Sequence, residues 1–272
     1  MRAFGGAMSD ERPIGIFDSG LGGLCAVREL KSILPHEKII YFGDTGRVPY
    51  GSRSKETIIK YAREDADFLC RSNVKIMLAA CGTVSTVALD KIKNEYDVPL
   101  LGVAGYAATA ATIATKTNRI AVIGTAATIK SGVLEQKIRD IGNYTVVSQA
   151  CPLFVNLVEC GFIGKDCKIT RDVCASYLAD IKAFGVDTMI LGCTHFPIIS
   201  DIISDYLPGV TLIDPSREAA RAIARFLSEN DMLATGDGGA EYFVSDDSES
   251  FSHLARIFLK GDIDIKAKTI TI

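Results

Sequence analysis

The sequence predicts an α/β fold made of two similar halves with mainly parallel sheets, and three observations predict it. Short apolar, β-branched runs alternate with longer helical patterns, one stretch of the chain repeats, and the composition is that of an ordinary globular protein. In order, the runs Ile14–Phe17, Ile39–Phe42, Ile76–Ala80, Leu100–Ala104, Ile120–Ile123, Thr145–Val147, Thr188–Leu191 and Thr211–Ile213 read as buried strands with helices between them. The repeat pairs Val74-Lys-Ile-Met-Leu-Ala-Ala-Cys81 with Val186-Asp-Thr-Met-Ile-Leu-Gly-Cys193, valine and cysteine holding the same spacing in both. Each copy follows a strand that ends in a small-residue turn, Ile14-Gly-Ile-Phe-Asp-Ser-Gly in one and Ile120-Ala-Val-Ile-Gly-Thr-Ala in the other. A duplicated half places two equivalent cysteines at two equivalent strand ends.

Composition narrows the function. The chain has 272 residues, room for two domains or one large one, with 48% hydrophobic and 23% charged residues. A net charge of −3, from 30 basic and 33 acidic residues, supplies no positive field for a phosphate backbone, so nucleic acid is excluded as a main partner. Eight cysteines without a C-x-x-C pair, in a chain too long to need stapling, fit free thiols in a reducing cytosol. Residues Met1 to Arg12 hold no apolar run of signal-peptide length, and Met8 offers an alternative start. The longest uncharged stretch, Val98 to Thr115, contains Pro99, Gly102 and Gly105 and reads as a buried strand leading into an Ala-rich helix, so no membrane span is expected.

Ligands of open α/β sheets bind beyond the carboxyl ends of the strands, where Cys81 and Cys193 stand. Gly82-Thr83-Val84-Ser85 and Thr194-His195-Phe196-Pro197 suit helix starts, and a thiol beside a helix N-terminus is expected to have its pKa lowered toward neutrality. The other six cysteines read as small packed hydrophobes. Competing chemistries lack their residues. Gly20-Leu-Gly-Gly-Leu-Cys25 starts like a dinucleotide fingerprint but has Cys25 at the third glycine position, and no Walker A lysine pattern occurs. Cys193-Thr194-His195 has no companions at zinc spacing, and no phosphate-gripping arginine follows Cys81.

Five motifs in order, Ile14-Gly-Ile-Phe-Asp-Ser-Gly-Leu-Gly-Gly-Leu24, Tyr41-Phe-Gly-Asp-Thr-Gly-Arg-Val-Pro-Tyr-Gly51, Ala80-Cys-Gly-Thr83, Cys151-Pro-Leu-Phe-Val-Asn-Leu-Val-Glu159 and Leu191-Gly-Cys-Thr-His-Phe-Pro197, together resemble the glutamate racemases of the aspartate/glutamate racemase family. The tail Glu241-Tyr-Phe-Val-Ser-Asp246 is similar to the family's C-terminal segment. The resemblance implies a cytoplasmic enzyme that interconverts L- and D-glutamate without a cofactor or metal and supplies D-glutamate for peptidoglycan, with glutamate as its ligand, a homodimeric state, and neither nucleic acid nor membrane as partner. It also explains the duplication. Racemisation takes a proton from one face of a planar centre and returns one to the other, so two acid/base groups must flank it.

The resemblance assigns these roles to Cys81 and Cys193, assisted by Asp18 and His195. It implies substrate contacts from Asp18, Ser19, Tyr50, Gly51, Gly82, Thr83, Glu159, Thr194 and His195, with Asp18 accepting from the substrate ammonium. Two departures stand out: Gly82 replaces the asparagine usual after the first cysteine, and Gly102-Val-Ala-Gly-Tyr106 lacks the acidic or proline residues common there. The resulting expectation is two α/β halves facing each other across a substrate cleft, residues 10–105 plus 209–272 and residues 106–208. An aspartate racemase, a related two-cysteine racemase or decarboxylase, and a non-catalytic amino-acid-binding protein are the alternatives. The cysteine pair argues against simple binding, which has no use for thiols on both sides.

Overall fold

The computed structural model describes residues 9–261 and 265–272; Met8 and the rest of residues 1–8 lie outside the described residues. Ten strands run in chain order as β1 (Ile14–Asp18), β2 (Lys38–Gly43), β3 (Ile76–Ala79), β4 (Leu100–Gly102), β5 (Arg119–Gly124), β6 (Thr145–Ala150), β7 (Thr188–Leu191), β8 (Thr211–Ile213), β9 (Gly239–Val244) and β10 (Ala267–Thr269). Among the described residues they form a six-stranded sheet, β10-β9-β2-β1-β3-β4, and a four-stranded sheet, β6-β5-β7-β8. Every pairing is parallel.

The duplication is visible in the topology. The first sheet contains the order β2-β1-β3-β4 and the second the order β6-β5-β7-β8, the same arrangement with each strand advanced by four. Register repeats with it: Ile14 and Phe17 of β1 lie beside Ile76 and Ala79 of β3, as Ile120 and Ile123 of β5 lie beside Thr188 and Leu191 of β7. In both sheets the strand order reverses direction at the first strand, so a crevice opens above β1/β3 and above β5/β7. Cys81 and Cys193 follow the strands that border those crevices.

Helix formation follows local signals. Ser54 caps the helix Lys55–Arg71, its hydroxyl accepting from Thr57 N–H at 3.3 Å, and Ile58, Ala62, Ala66 and Leu69 bury one face at helical spacing. Asp214 and Pro215 start the helix Pro215–Glu229, and Gly185 in the left-handed region (φ 72°) ends the helix Lys168–Phe184. The run expected as a strand from Leu100 to Ala104 ends at Gly102, and Val103 already begins the helix Val103–Ala114. That helix turns Ala104, Ala107, Ala108 and Ala111 toward Ile120, Val122, Ile190 and Ile213 of the second sheet, and their small side chains let it lie close. Among the described residues no helix is long and apolar enough to cross a membrane.

The sequence reading places the return to the first half at residue 209. β8, residues 211–213, pairs with β7, and the chain crosses back through Pro215–Glu229, which packs on the helices Leu24–Ile33 and Val103–Ala114. Because Thr211–Ile213 completes the second sheet's hydrogen bonding, we propose that the division falls after Ile213. β9 and β10, both absent from the sequence reading, extend the first sheet beyond β2.

A buried ion pair ties the amino ends of β2 and β3 to the loop that leads into β9. The Lys75 ammonium lies 2.7 Å from Glu37 Oε2 and donates to the carbonyls of Asp10 (2.7 Å) and Met232 (2.6 Å), while Glu37 Oε1 accepts from Ala234 N–H at 2.9 Å. Both side chains are almost wholly buried. Lys75→Met strands a buried carboxylate and two carbonyls, so it is expected to cost about 3–5 kcal/mol in urea unfolding. An unchanged unfolding midpoint would show that the pair holds nothing together.

Candidate active site

The loops after β1, β3, β5 and β7 meet around a cavity of about 250 Å³ between the two sheets. Of the residues expected at a site, Ser19, Tyr50, Gly51, Cys81, Gly82, Thr83, Cys193, Thr194 and His195 line it. Asp18 and Glu159 do not: Asp18 is wholly buried beneath Ser19, and Glu159 stands behind His195. The structure adds Thr125 and Asn156 to the wall. Thr125 holds the place of Ser19 in the second copy of the repeat, and that alignment was the signal for it.

The two halves touch through residues small enough to let their backbones meet. A Cβ on Gly82 would stand 2.2 Å from the Gly192 carbonyl oxygen, and one on Gly22 would stand 1.9 Å from Thr194 Oγ1. Hydroxyls close the gap further along: Thr83 Oγ1 lies 3.0 Å from Thr125 Oγ1 and 3.4 Å from Thr128 Oγ1. Gly82, which departs from the family's asparagine, therefore stands at the crossing of the two cysteine loops.

The cysteines differ in their surroundings. Cys81 stands at the N-cap position of the helix Gly82–Val87, is 6% exposed, and donates to Ser19 Oγ at 3.5 Å. Burial, with Asp18 nearby, pushes its thiol up to about 12 against the smaller opposing help of Val84 N–H and the Ser19 hydroxyl. The expected lowering by a helix start is thus overturned at Cys81 by desolvation. Cys193 is followed by a 3₁₀ turn, Phe196–Ile199, in place of the expected helix start. Its neighbour is His195, whose Nδ1 lies 3.8 Å from Cys193 Sγ and whose Nε2 lies 2.9 Å from Glu159 Oε1. Burial works against charge on this ring, yet the contacts with Cys193 and Glu159 prevail and raise His195 to about 10. An imidazolium at that distance stabilises negative charge on the Cys193 sulfur.

Asp18 accepts from Gly20 N–H at 3.0 Å through Oδ2, while Oδ1 has no hydrogen-bond partner among the described residues. Burial raises its carboxyl above the ordinary range, offset in part by His195 and by the N–H groups of Gly20 and Gly23. Tyr50 turns its hydroxyl away from the cavity, to Asp44 Oδ2 and to Asp65 Oδ2 at 3.0 Å. A single hydroxyl proton serves one carboxylate at a time, and burial together with Asp44 pushes Asp65 above the usual carboxylate range against the opposing pull of the Arg47 guanidinium and the Tyr50 hydroxyl. Arg47 completes the cluster, 2.6 Å from Asp44 and 3.1 Å from Asp65, over the Tyr61 ring. Tyr50 therefore anchors the loop that carries Gly51 and offers no hydroxyl to a ligand. Among the described residues no three His, Cys, Asp or Glu side chains are grouped to hold a metal ion.

Residues 25–223 match the family model described as Asp/Glu/Hydantoin racemase. The chain is 43% identical over 253 residues to a glutamate racemase of Persephonella marina, covering 93% of this chain and 95% of that one. To a glutamate racemase of Chlorobaculum tepidum it is 44% identical over 261 residues, 94% and 95% of the two chains. Among solved structures, a glutamate racemase of Francisella tularensis in complex with D-glutamate superposes with a TM-score of 0.89 at 36% identity, covering 96% of this chain and 98% of that one. A Bacillus anthracis glutamate racemase gives a TM-score of 0.92 at 31% identity, covering 97% and 98%.

Two outcomes follow from this geometry. Gly82→Ala must push the cysteine loops apart, so the protein is expected to lose about 1–3 kcal/mol in urea unfolding, the usual scale of overpacking at a tight contact; an unchanged unfolding midpoint would contradict the close approach. His195 is raised from 6.5 to about 10 on folding, so its contribution to stability is present in full below 6.5 and lost as pH rises through about 10. The gap in unfolding midpoint between the wild-type protein and His195→Gln should close over that interval, and a gap independent of pH would contradict the charged ring.

Proposed function

The chain belongs to the Asp/Glu/hydantoin racemase family, and on that premise we propose that it interconverts L- and D-glutamate by passing the α-proton between Cys81 and Cys193. It is an amino-acid racemase, an isomerase. One observation carries the two-thiol reading: the cysteines stand at equivalent strand ends of a duplicated fold and open into one cavity of about 250 Å³. A binding protein needs no such pair.

The chemistry follows from the unequal thiols. A thiolate on one side takes the α-proton and forms an S–H bond, and the C–H electron pair is left on a planar carbanion conjugated with the carboxylate. The opposite thiol then gives its proton to the other face and becomes the thiolate. Atoms and charge balance without an oxidant or an electron sink, so pyridoxal phosphate, flavin, nucleotide and metal have no step to perform. Cys81, pushed up to about 12, is the thiol donor in the resting protein, and on the opposite side the His195 ring stands 3.8 Å from Cys193 Sγ. Reaction in the reverse sense starts from the exchanged arrangement.

Substrate binding in this reading uses the cavity wall. The hydroxyls of Ser19, Thr83 and Thr194 and the backbone N–H groups of Gly51, Gly82 and Thr83 face the two carboxylates. Asp18 acts from beneath the wall, as a buried carboxylate whose charge keeps the proton on Cys81, and the unpartnered Oδ1 is the atom we assign to the substrate ammonium once Ser19 gives way. Glu159 orients His195. A homodimer, a cytoplasmic location and the supply of D-glutamate for peptidoglycan complete the proposal.

The test is optical rotation of L-glutamate, and separately of L-aspartate, with chelator-dialysed protein. Rotation of glutamate should decay to zero without additives; decay only after a cofactor is added would contradict the mechanism, and decay with aspartate alone would reassign the substrate. Cys81→Ser and Cys193→Ser should each lower racemisation by about 10²–10⁴-fold, the usual scale of a positioned acid/base group. The enantiomers have equal free energy, so kcat/KM stays equal in both directions in every variant. Each serine slows transfer on one face only, so α-deuterated L- and D-glutamate should exchange their ranking by isotope effect between the two variants. Full activity in either variant would refute the pair.

A further inference from the structure

The racemisation cavity has no lysine or arginine in its wall; His195 is its one basic side chain among the described residues. Its expected ligand carries two carboxylates and one ammonium, a net anion. Positive charge lines the cavity next to it. A second cavity, of about 540 Å³, shares Gly51, Ser52 and Ala126 with the first, so the two are neighbours along one cleft. Arg53 and Lys55 enter its wall from the first half and Lys130 from the second. Among the described residues no carboxylate lines it.

These three cations are exposed and uncommitted. Other surface charges of the chain are paired, among them Arg63 with Glu95 and Arg139 with Glu135. Arg53, Lys55 and Lys130 make no side-chain hydrogen bond or ion pair among the described residues, although the protein as a whole carries a net charge of −3. The polar groups beside them are spoken for. Ser54 Oγ caps the helix Lys55–Arg71, Thr86 Oγ1 donates to the Gly82 carbonyl, and Ser131 Oγ donates to the Thr128 carbonyl. A cleft lined by one sign of charge focuses its field and raises the local concentration of opposite charge.

We propose that Arg53, Lys55 and Lys130 form a capture vestibule that draws the glutamate anion into the cleft before it reaches the cysteines. The inference rests on the glutamate racemisation proposed above. Because the cations flank the cavity from both halves, an anion entering there is attracted from either side, and the inner cavity can hold its carboxylates with neutral donors alone. The division of labour is physical: long-range attraction comes from exposed, salt-screened charges, and short-range recognition comes from N–H and hydroxyl groups.

The test compares the wild-type protein with the triple variant Arg53→Gln, Lys55→Gln, Lys130→Gln in steady-state racemisation at rising sodium chloride. At low salt the variant should lose about three- to tenfold in kcat/KM, a modest instance of electrostatic steering. Its kcat should stay within about twofold of the wild type, and the fall of kcat/KM with salt seen in the wild type should flatten. Inorganic pyrophosphate at matched ionic strength should inhibit the wild type competitively and the variant more weakly. Equal kcat/KM and equal salt response in the two proteins would overturn the vestibule alone, as would a loss confined to kcat. Wild-type protein that fails to racemise glutamate would overturn the underlying reading as well, and the two failures are thereby told apart.

Discussion

In this chain the two halves turn on a backbone approach that leaves no room for a side chain at residue 82. Gly82, immediately after one cysteine, stands where its Cβ would run into the carbonyl of Gly192, immediately before the other. Two strand ends from separate sheets are thereby brought to one point. The parallel order β2-β1-β3-β4 and its repeat β6-β5-β7-β8 place each cysteine at the edge of a crevice, and the glycine contact joins the two crevices into one cavity. Thr83 with Thr125, and Gly22 against Thr194, hold the same junction from its flanks.

A duplicated fold gives two similar positions, and their surroundings then diverge. Cys81 faces a serine hydroxyl with a buried carboxylate behind it, so its proton is held tightly. Cys193 faces an imidazole that Glu159 orients and helps to charge. Proton transfer across a planar carbon starts with one side loaded and the other empty. In the two-thiol mechanism proposed above, the proton held on Cys81 supplies the loaded side, while the repeated scaffold sets the geometry.

Much of this was legible in the sequence because both signals are local. Buried parallel strands read as apolar β-branched runs, and eight of the ten strands among the described residues lie where such runs fall. Equivalence of Cys81 and Cys193 was legible from the repeat. β9 and β10 were not: Gly239–Val244 and Ala267–Thr269 lie at the outer end of the sheet and carry exposed polar residues, so neither forms an apolar run. The end of β4 was misplaced because Leu100–Ala104 is apolar throughout, and such a run does not distinguish strand from buried helix. The upward shift at Cys81 depends on desolvation, which a helix-start argument from sequence leaves out. Asp18 and Glu159 were found by motif but their places behind the cavity wall were not, since depth is a property of packing.

The central claim is that one cysteine serves each face of the α-carbon, and the fate of the proton tests it most directly. Racemisation of α-protiated L-glutamate is run in deuterium oxide and stopped after a small fraction of one equilibration, and both enantiomers are separated and weighed by mass spectrometry. Two thiols predict that newly formed D-glutamate carries deuterium at the α-carbon in nearly every molecule while the remaining L-glutamate keeps protium, because the proton taken and the deuteron given belong to different sulfurs. Newly formed D-glutamate that retains the original protium would mean that a single base carries the proton from face to face, and would contradict the account.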